Sequence, residues 1–198
     1  MPEARQREQG IPTDQISVII PAKNEMASIG RVVESVRQQL PEAEIIVVDD
    51  GSDDETADRA RGEGAVVHHH PVSLGNGAAV KAGARRAKGA ILVFLDADGQ
   101  HDPSDIPRLL DQIAAGYDMA VGARNSGSHA SFARLMANGA YNVIASLVTG
   151  RTIPDLTSGF RAVRADLFRQ FLYLLPNGFS YPTTITMAFI RSGYLVDF

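Results

Sequence analysis

Short, solid runs of apolar residues alternate along this chain with longer segments whose apolar positions recur every three to four residues. The solid runs are "ISVIIPA" (Ile16–Ala22), "EIIVVDD" (Glu44–Asp50), "AVVHHH" (Ala65–His70), "AILVFLDAD" (Ala90–Asp98) and "DMAVGAR" (Asp118–Arg124). Each has the length and β-branched content of a buried strand. Between them, Ile29, Val32, Val33, Val36 and Leu40 fall at helical spacing, and Ser28 stands where a cap belongs. A polar helix is expected from near Asp53, a third helix from Asn76 to Lys88, and a fourth from Pro103 to Ala115, proline suiting its first turn. Strands alternating with helices of this length predict βαβ units and a mainly parallel α/β sheet with flanking helices. After Arg124 the rhythm changes. "NSGSHAS" reads as a loop, Phe132 to Val148 as a long helix, "PDLTSGFRAVR" as a turn and short strand, and the remainder as two apolar helices.

Composition narrows this picture without changing it. The 198 residues suffice for one sizeable domain, and 44% hydrophobic with 21% charged content is that of an ordinary soluble protein. A net charge of -4 argues against a nucleic-acid binder. With no cysteine, disulfides, thiolate metal sites and cysteine nucleophiles are excluded. No apolar run approaches the roughly 20 residues of a membrane span. Residues 1–15 have no signal-peptide core and read as a frayed tail ahead of a domain over 16–198, so the expected location is cytoplasmic. The closing "RSGYLVDF" looks like a strand just starting, which predicts a natural continuation beyond Phe198.

The chemistry gathers where the strands end. Ligands of open α/β sheets bind at the carboxyl ends of the strands. Here those ends carry Pro21, Lys23, Asn24 and Glu25, then Asp49 and Asp50, then Asp96 and Asp98, then Arg124. On a continuing strand Asp96 and Asp98 point to one side. Paired carboxylates repel unless a cation neutralises them, and an all-oxygen set with Gln100 nearby suits Mg²⁺ or Mn²⁺. An Asp closing a strand as a turn or cap is the plainer reading of either residue alone. An EF-hand is excluded, because His101 and Pro107 stand where its loop needs Gly and Glu. "GNGAAV" lacks the third Gly of a dinucleotide fingerprint, so Gly75 and Gly77 are expected to make a tight turn into a helix. His68, His69 and His70 alternate across a strand and cannot share one metal; solvated rings at a sheet end are expected.

"SVIIPAKNE", "IIVVDDGSDDET", "LGNGAAVKAG" and "LDADGQHDP" together resemble the successive signatures of the family 2 inverting glycosyltransferases. The resemblance runs from about Ile16 to Phe198 and implies the GT-A fold, a Rossmann-like sheet carrying an Asp-x-Asp metal motif. "DADGQHDP", "GAR" and "DLTSGFRAVR" are most similar to the polyprenol-phosphate sugar synthases of the dolichol-phosphate mannose synthase type. The resemblance implies that Pro21, Ala22, Lys23, Glu25, Asp49 and Ala97 line the nucleotide, with Asp50 on the base edge. It implies that Asp96, Asp98 and Gln100 hold Mg²⁺ or Mn²⁺ bridging the donor's phosphates. Arg124 and Arg134 would face the diphosphate and the acceptor phosphate, and Asp155, Thr157 and Ser158 would close over sugar and acceptor.

Two departures shape the expected reaction. Relatives that glycosylate hydroxyls carry a carboxylate base downstream, whereas "YPTTITMAF" here has none, and the chain has no Trp for the motif of processive synthases. A phosphate acceptor is already anionic and requires no base. The expected activity is therefore a hexosyltransferase moving sugar from a UDP- or GDP-linked donor to a polyprenyl phosphate, with peripheral contact at the membrane face. The alternatives are a hydroxyl acceptor, with a base such as Asp155, and a non-catalytic nucleotide-sugar-binding module. The latter gains weight because the basic segment and membrane helices of the resembling synthases are absent from this sequence.

Overall fold

The computed structural model describes residues 10–122 and 155–198. Seven strands form one sheet in the order β3-β2-β1-β4-β6-β5-β7. In chain order they are β1 (Ile16–Ala22), β2 (Glu44–Asp49), β3 (Val66–His69), β4 (Ile91–Phe94), β5 (Met119–Val121), β6 (Arg161–Arg164) and β7 (Val196–Asp197). The helices are α1 (Ile29–Gln39), α2 (Thr56–Gly62), α3 (Asn76–Arg86), α4 (Ile106–Ala114), α5 (Ala165–Gln170) and α6 (Tyr181–Arg191). Strands β1 to β4 pair in parallel, β6 runs antiparallel between β4 and β5, and β7 lies parallel to β5. The expected mainly parallel sheet is what the chain forms.

The solid apolar runs are explained by burial on both faces. Along β2, Ile45 and Val47 point into the layer under α1, α2 and α4, while Ile46 and Val48 enter the opposite layer. That second layer holds Val80 of α3, Phe168 of α5, and Tyr181, Ile185 and Phe189 of α6. Helix α1 commits one stripe, Ile29, Val32, Val33 and Val36, to the first layer. Each such side chain contributes about 1.5–3 kcal/mol when fully buried.

Several element boundaries differ from the sequence expectation. Strand β4 stops at Phe94, so Asp96 and Asp98 stand in a turn and the strand alternation invoked for them does not apply. The fourth helix opens with a 3-10 turn, Pro103–Asp105, capped by the Asp102 carboxylate on the Ser104 amide. Ser28 occupies the N-cap of α1, yet its hydroxyl bonds Glu25 instead of the helix amides. The polar helix starts at Thr56, three residues beyond Asp53, because the residues between are taken up by contacts to the loop after β1. The expected loop at 125–131 and helix Phe132–Val148 lie outside the described residues, as do Arg124 and Arg134.

Candidate functional site

Parallel pairing of β1, β2 and β4, with β6 antiparallel beside β4, brings four separated stretches to one sheet edge. Ala22 is level with Asp49 in the β1–β2 register, and Phe94 at the end of β4 is level with Arg161 at the start of β6. The same edge receives Gly122 after β5, whose amide donates to the Phe160 carbonyl at 2.9 Å. Pro21 to Glu25, Asp49 and Asp50, Asp96 to Gln100, and Asp155 to Ser158 are thereby neighbours in space.

The loops after β1 and β2 are stitched together by hydrogen bonds. Asn24 adopts φ 56°, the left-handed conformation Asn tolerates better than most residues, and its Oδ1 accepts from the Asp53 amide at 2.9 Å. In return its own amide donates to Ser52 Oγ at 2.9 Å. The Glu25 amide donates to buried Thr56 Oγ1 at 2.8 Å, and the Met26 amide to Asp54 Oδ2 at 3.2 Å. Thr56 in turn donates its hydroxyl to Asp54. These contacts hold the loop as a fixed wall from which Lys23 projects, exposed.

Asp49 and Asp50 are both buried and both employed by the chain itself. Asp49 accepts from the Ser52 amide at 3.0 Å and faces His69 Nδ1 at 2.9 Å. The Asp50 carboxylate meets four partners: His70 Nδ1 at 2.8 Å, Ser73 Oγ at 2.8 Å, and the amides of Leu74 at 2.9 Å and Gly75 at 2.8 Å. Burial by itself raises its pKa, but the bonds from His70, Leu74, Ser73 and Gly75 outweigh that and bring it from 3.8 to about 2. The expectation of solvated histidines therefore fails for His70, which is buried against Asp50; only His69 keeps an exposed ring. The side chain thought to read the base edge instead pins the turn into α3.

That turn is built for close approach. Gly75 has φ +99°, and a Cβ on it would lie 2.5 Å from the Asn177 carbonyl oxygen. At Gly77 the same test brings a Cβ to 2.1 Å from the Pro176 carbonyl oxygen. The tight turn expected of "GNG" is present, and the glycines also seat residues 176–178 on the start of α3. Lys81 Nζ locks the contact by donating to the Leu175 carbonyl at 2.8 Å and to Asn177 Oδ1 at 2.6 Å.

The acidic turn after β4 has one sheltered and one exposed carboxylate. Asp96 is partly buried over Gly159, where a Cβ would come within 2.8 Å of its Oδ2. His101, whose place in the sequence excluded an EF-hand and marked no other role, stacks on Phe160 at 5.2 Å and places Nε2 3.7 Å from Asp96 Oδ2. Asp98 is exposed and accepts from the Gln100 amide at 2.9 Å, which holds the turn, while Ala97 is buried beneath. Among the described residues no three His, Asp or Glu side chains form a closed metal cage. Two carboxylates and an amide oxygen at an open edge fit an ion that keeps several positions for water and phosphate, the habit of Mg²⁺.

Beside this turn, Asp155 is buried and its Oδ1 accepts both the amide and the hydroxyl of Thr157 at 3.0 Å. Ser158 donates its hydroxyl to the Gly122 carbonyl at 2.7 Å. Behind it, Arg161 is fully buried, as is Tyr181, whose ring centroid lies 5.9 Å from the guanidinium. Burial draws the Arg161 guanidinium below its ordinary range, while Tyr181, Asp155 and Asp96 oppose the shift. The Tyr181 phenol is raised, again by burial first. Nothing in the sequence marked Arg161 beyond its place in "SGFRAVR", because an isolated Arg ordinarily reads as surface charge.

A mainly parallel sheet with an acidic turn after its central strand, facing a polar edge built from β1 and β2, defines a GT-A sugar-nucleotide transferase fold. Glucosyl-3-phosphoglycerate synthase from Mycobacterium tuberculosis, crystallised with Mn²⁺, UDP and glucosyl-3-phosphoglycerate, has this fold. It superposes with a TM-score of 0.75 at 27% identity, over 92% of this chain and 68% of that one. The chain belongs to glycosyl transferase family 2, whose pattern matches residues 17–172. It is 32% identical to the polyprenol monophosphomannose synthase of Mycolicibacterium smegmatis, over 96% of this chain and 81% of that protein. Identity to the undecaprenyl-phosphate mannosyltransferase of Micrococcus luteus is 35%, covering 90% and 79% respectively. The chain spans about half, 52%, of the undecaprenyl-phosphate 4-deoxy-4-formamido-L-arabinose transferase of Proteus mirabilis, at 32% identity. No described helix is long and apolar enough to cross a membrane.

Proposed function

We propose that the protein is a divalent-metal-dependent inverting hexosyltransferase that moves a sugar from a UDP- or GDP-linked donor to a polyprenyl phosphate. The observation that carries this reading is the adjacency of the Asp96–Gln100 turn to the Asp155–Ser158 segment. In this reading the turn serves the diphosphate, and the segment beside it, joined through the contact of Asp96 with Gly159, serves the sugar. Pro21, Ala22, Lys23, Glu25, Asp49 and Ala97 line the nucleotide, and Asp50 acts on it indirectly by fixing the turn at Ser73–Gly75. Asp96, Asp98 and the Gln100 amide oxygen hold the ion. An ion bound there supplies a Lewis acid that neutralises charge developing on the leaving nucleoside diphosphate. Arg124 and Arg134 complete the account as ligands of the diphosphate and the acceptor phosphate; both stand outside the described residues.

In this reaction a phosphate oxygen of the acceptor forms its bond to the anomeric carbon as the bond to the diphosphate oxygen breaks on the opposite face. The nucleophile arrives ionised, so a general base is unnecessary. Consistent with that, "YPTTITMAF" forms α6, which supplies hydroxyls and apolar contacts and no carboxylate. The glycosyl-phosphoglycerate product and the phosphoglyceric acid carried by the structural neighbours favour a second reading, transfer to a small acid-bearing acceptor. The deciding experiment offers labelled nucleotide sugar with polyprenyl phosphate, free polyprenol or phosphoglyceric acid. Transfer to the lipid phosphate alone is expected. Comparable transfer to the free alcohol would overturn the phosphate-acceptor reading, and transfer to phosphoglyceric acid alone would establish the second.

A further inference from the structure

The face of the sheet covered by α3, α5 and α6 differs in charge from the rest of the molecule. None of the 23 acidic residues falls in 66–94 or 167–191, which supply α3, most of α5 and α6. The same stretches hold Lys81, Arg85, Arg86, Lys88, Arg169 and Arg191, so the acids behind the net charge of -4 are all carried elsewhere. Arg85 and Arg86 are exposed on α3, with no carboxylate in ion-pairing distance among the described residues. The bordering acids are Glu44, 3.9 Å from Lys88, and Asp166 in the first turn of α5. Residues 169–178 run along α3 in the opposite direction. Arg169 donates to the carbonyls of Ala84 at 3.0 Å and Ala87 at 2.6 Å near the end of α3. Lys81 holds the Leu175 carbonyl midway, and the Asn177 carbonyl accepts from the Ala78 amide at 3.1 Å near the start. In this run Tyr173 is 80% exposed, and Phe179 just beyond it is 83% exposed. Leu174 is exposed too, as are Val72 and Leu74 ahead of α3. Nearly bare aromatic and aliphatic side chains gathered beside unpaired arginines mark a surface built to meet something other than water. Its upper end adjoins the candidate site, because Arg161 binds both the Ser158 carbonyl and the Pro182 carbonyl in the first turn of α6.

We infer that this flank docks on the surface of an anionic lipid bilayer: Leu74, Tyr173, Leu174 and Phe179 enter the headgroup boundary while Arg85 and Arg86 meet lipid phosphates. Aromatic rings favour that boundary, and basic side chains are drawn to anionic headgroups. A second copy of the chain suits the surface less well, since a two-fold contact would set the same arginines against each other. A nucleic acid offers phosphates but no apolar layer to receive the leucines. The inference goes beyond the proposed function and stands without it, because docking needs neither donor, metal ion nor acceptor. Together with that reading, it sets the lipid surface beside the edge at which a lipid-borne acceptor would react.

The test is co-flotation of the whole chain with vesicles of phosphatidylcholine alone or mixed equally with phosphatidylglycerol, in the absence of nucleotide sugar. It is run on wild type, on Tyr173→Ser/Phe179→Ser and on Arg85→Gln/Arg86→Gln. Arg59→Gln/Arg61→Gln, which removes two exposed arginines from α2, is the control. Each protein is checked for folding by its melting transition. Wild type should bind the anionic vesicles, lose that binding as salt is raised, and bind the neutral ones on the order of tenfold more weakly. Each flank variant should lose on the order of tenfold in affinity for the anionic vesicles, while the control stays close to wild type. Absence of wild-type binding, equal binding to the two kinds of vesicle, or undiminished binding by either folded flank variant would overturn the inference. So would dimerisation without vesicles that Tyr173→Ser/Phe179→Ser abolishes, because a second copy would then cover the flank. Should one flank variant fail to fold, the other decides. Sugar transfer to polyprenyl phosphate dispersed in detergent is read separately, so failure of docking and failure of the proposed function are told apart.

Discussion

Asp50 concentrates four hydrogen bonds on one buried carboxylate, and that arrangement has a pH signature. Its pKa in the folded chain is about 2 against an ordinary 3.8, so the folded state holds the ionised form preferentially. The stabilisation is complete above the unfolded value and is lost as the pH falls from about 4 towards 2. It amounts to roughly 2 kcal/mol. Asp50→Asn should lower stability at neutral pH by about 1–3 kcal/mol, because an amide NH₂ then faces donors on one side. The gap from wild type should narrow towards pH 2. Urea denaturation at pH 7 and pH 3 checks this; a constant gap would mean that Asp50 is not the titrating group. At this scale the sequence was only partly legible. The acids announced themselves by type and place, but the donors to Asp50 come from His70 and the turn after it. No local pattern links them to a residue twenty or more positions earlier.

Among the elements, strands were more readable than helix starts. A strand buried on both faces must be apolar throughout, so Ile16–Ala22, Glu44–Asp49 and Ile91–Phe94 stood out as runs. Helix starts depend on which group satisfies the first amides. At α1 Ser28 stands at the expected cap but bonds Glu25, and at α2 the Asp residues are drawn into contacts with the loop after β1, so that helix starts at Thr56. Close approach between elements was visible only as glycine. Gly77→Ala should destabilise by about 1–3 kcal/mol, since its methyl meets the Pro176 carbonyl head-on and residues 176–178 must move. Gly62→Ala offers the contrast. It ends α2 with nothing within 4 Å of a new Cβ, and the substitution should be neutral or stabilising by up to about 1 kcal/mol. Chemical denaturation of the two variants side by side checks the pair. Equal and small effects would mean that the loop at 176–178 is not seated on α3.

For the whole molecule, the proposed function rests on four stretches meeting at one edge, and topology made that meeting legible. Once the strands were read as mainly parallel, their carboxyl ends had to fall on one side of the sheet. The share of the edge contributed by β6 was harder to see, because an antiparallel strand brings its beginning, and so Ser158 and Arg161, to the site. The central claim is that the Asp96–Gln100 turn binds a nucleoside diphosphate through a divalent ion. Calorimetric titration of UDP and of GDP, with and without Mn²⁺, into wild type and Asp98→Ala tests it most directly. Asp98 is exposed and its side chain bonds only within its own turn, so the variant should melt within a few degrees of wild type. The account predicts Mn²⁺-dependent nucleotide binding in wild type that disappears in folded Asp98→Ala; equal Mn²⁺-dependent affinity in the two proteins would contradict it.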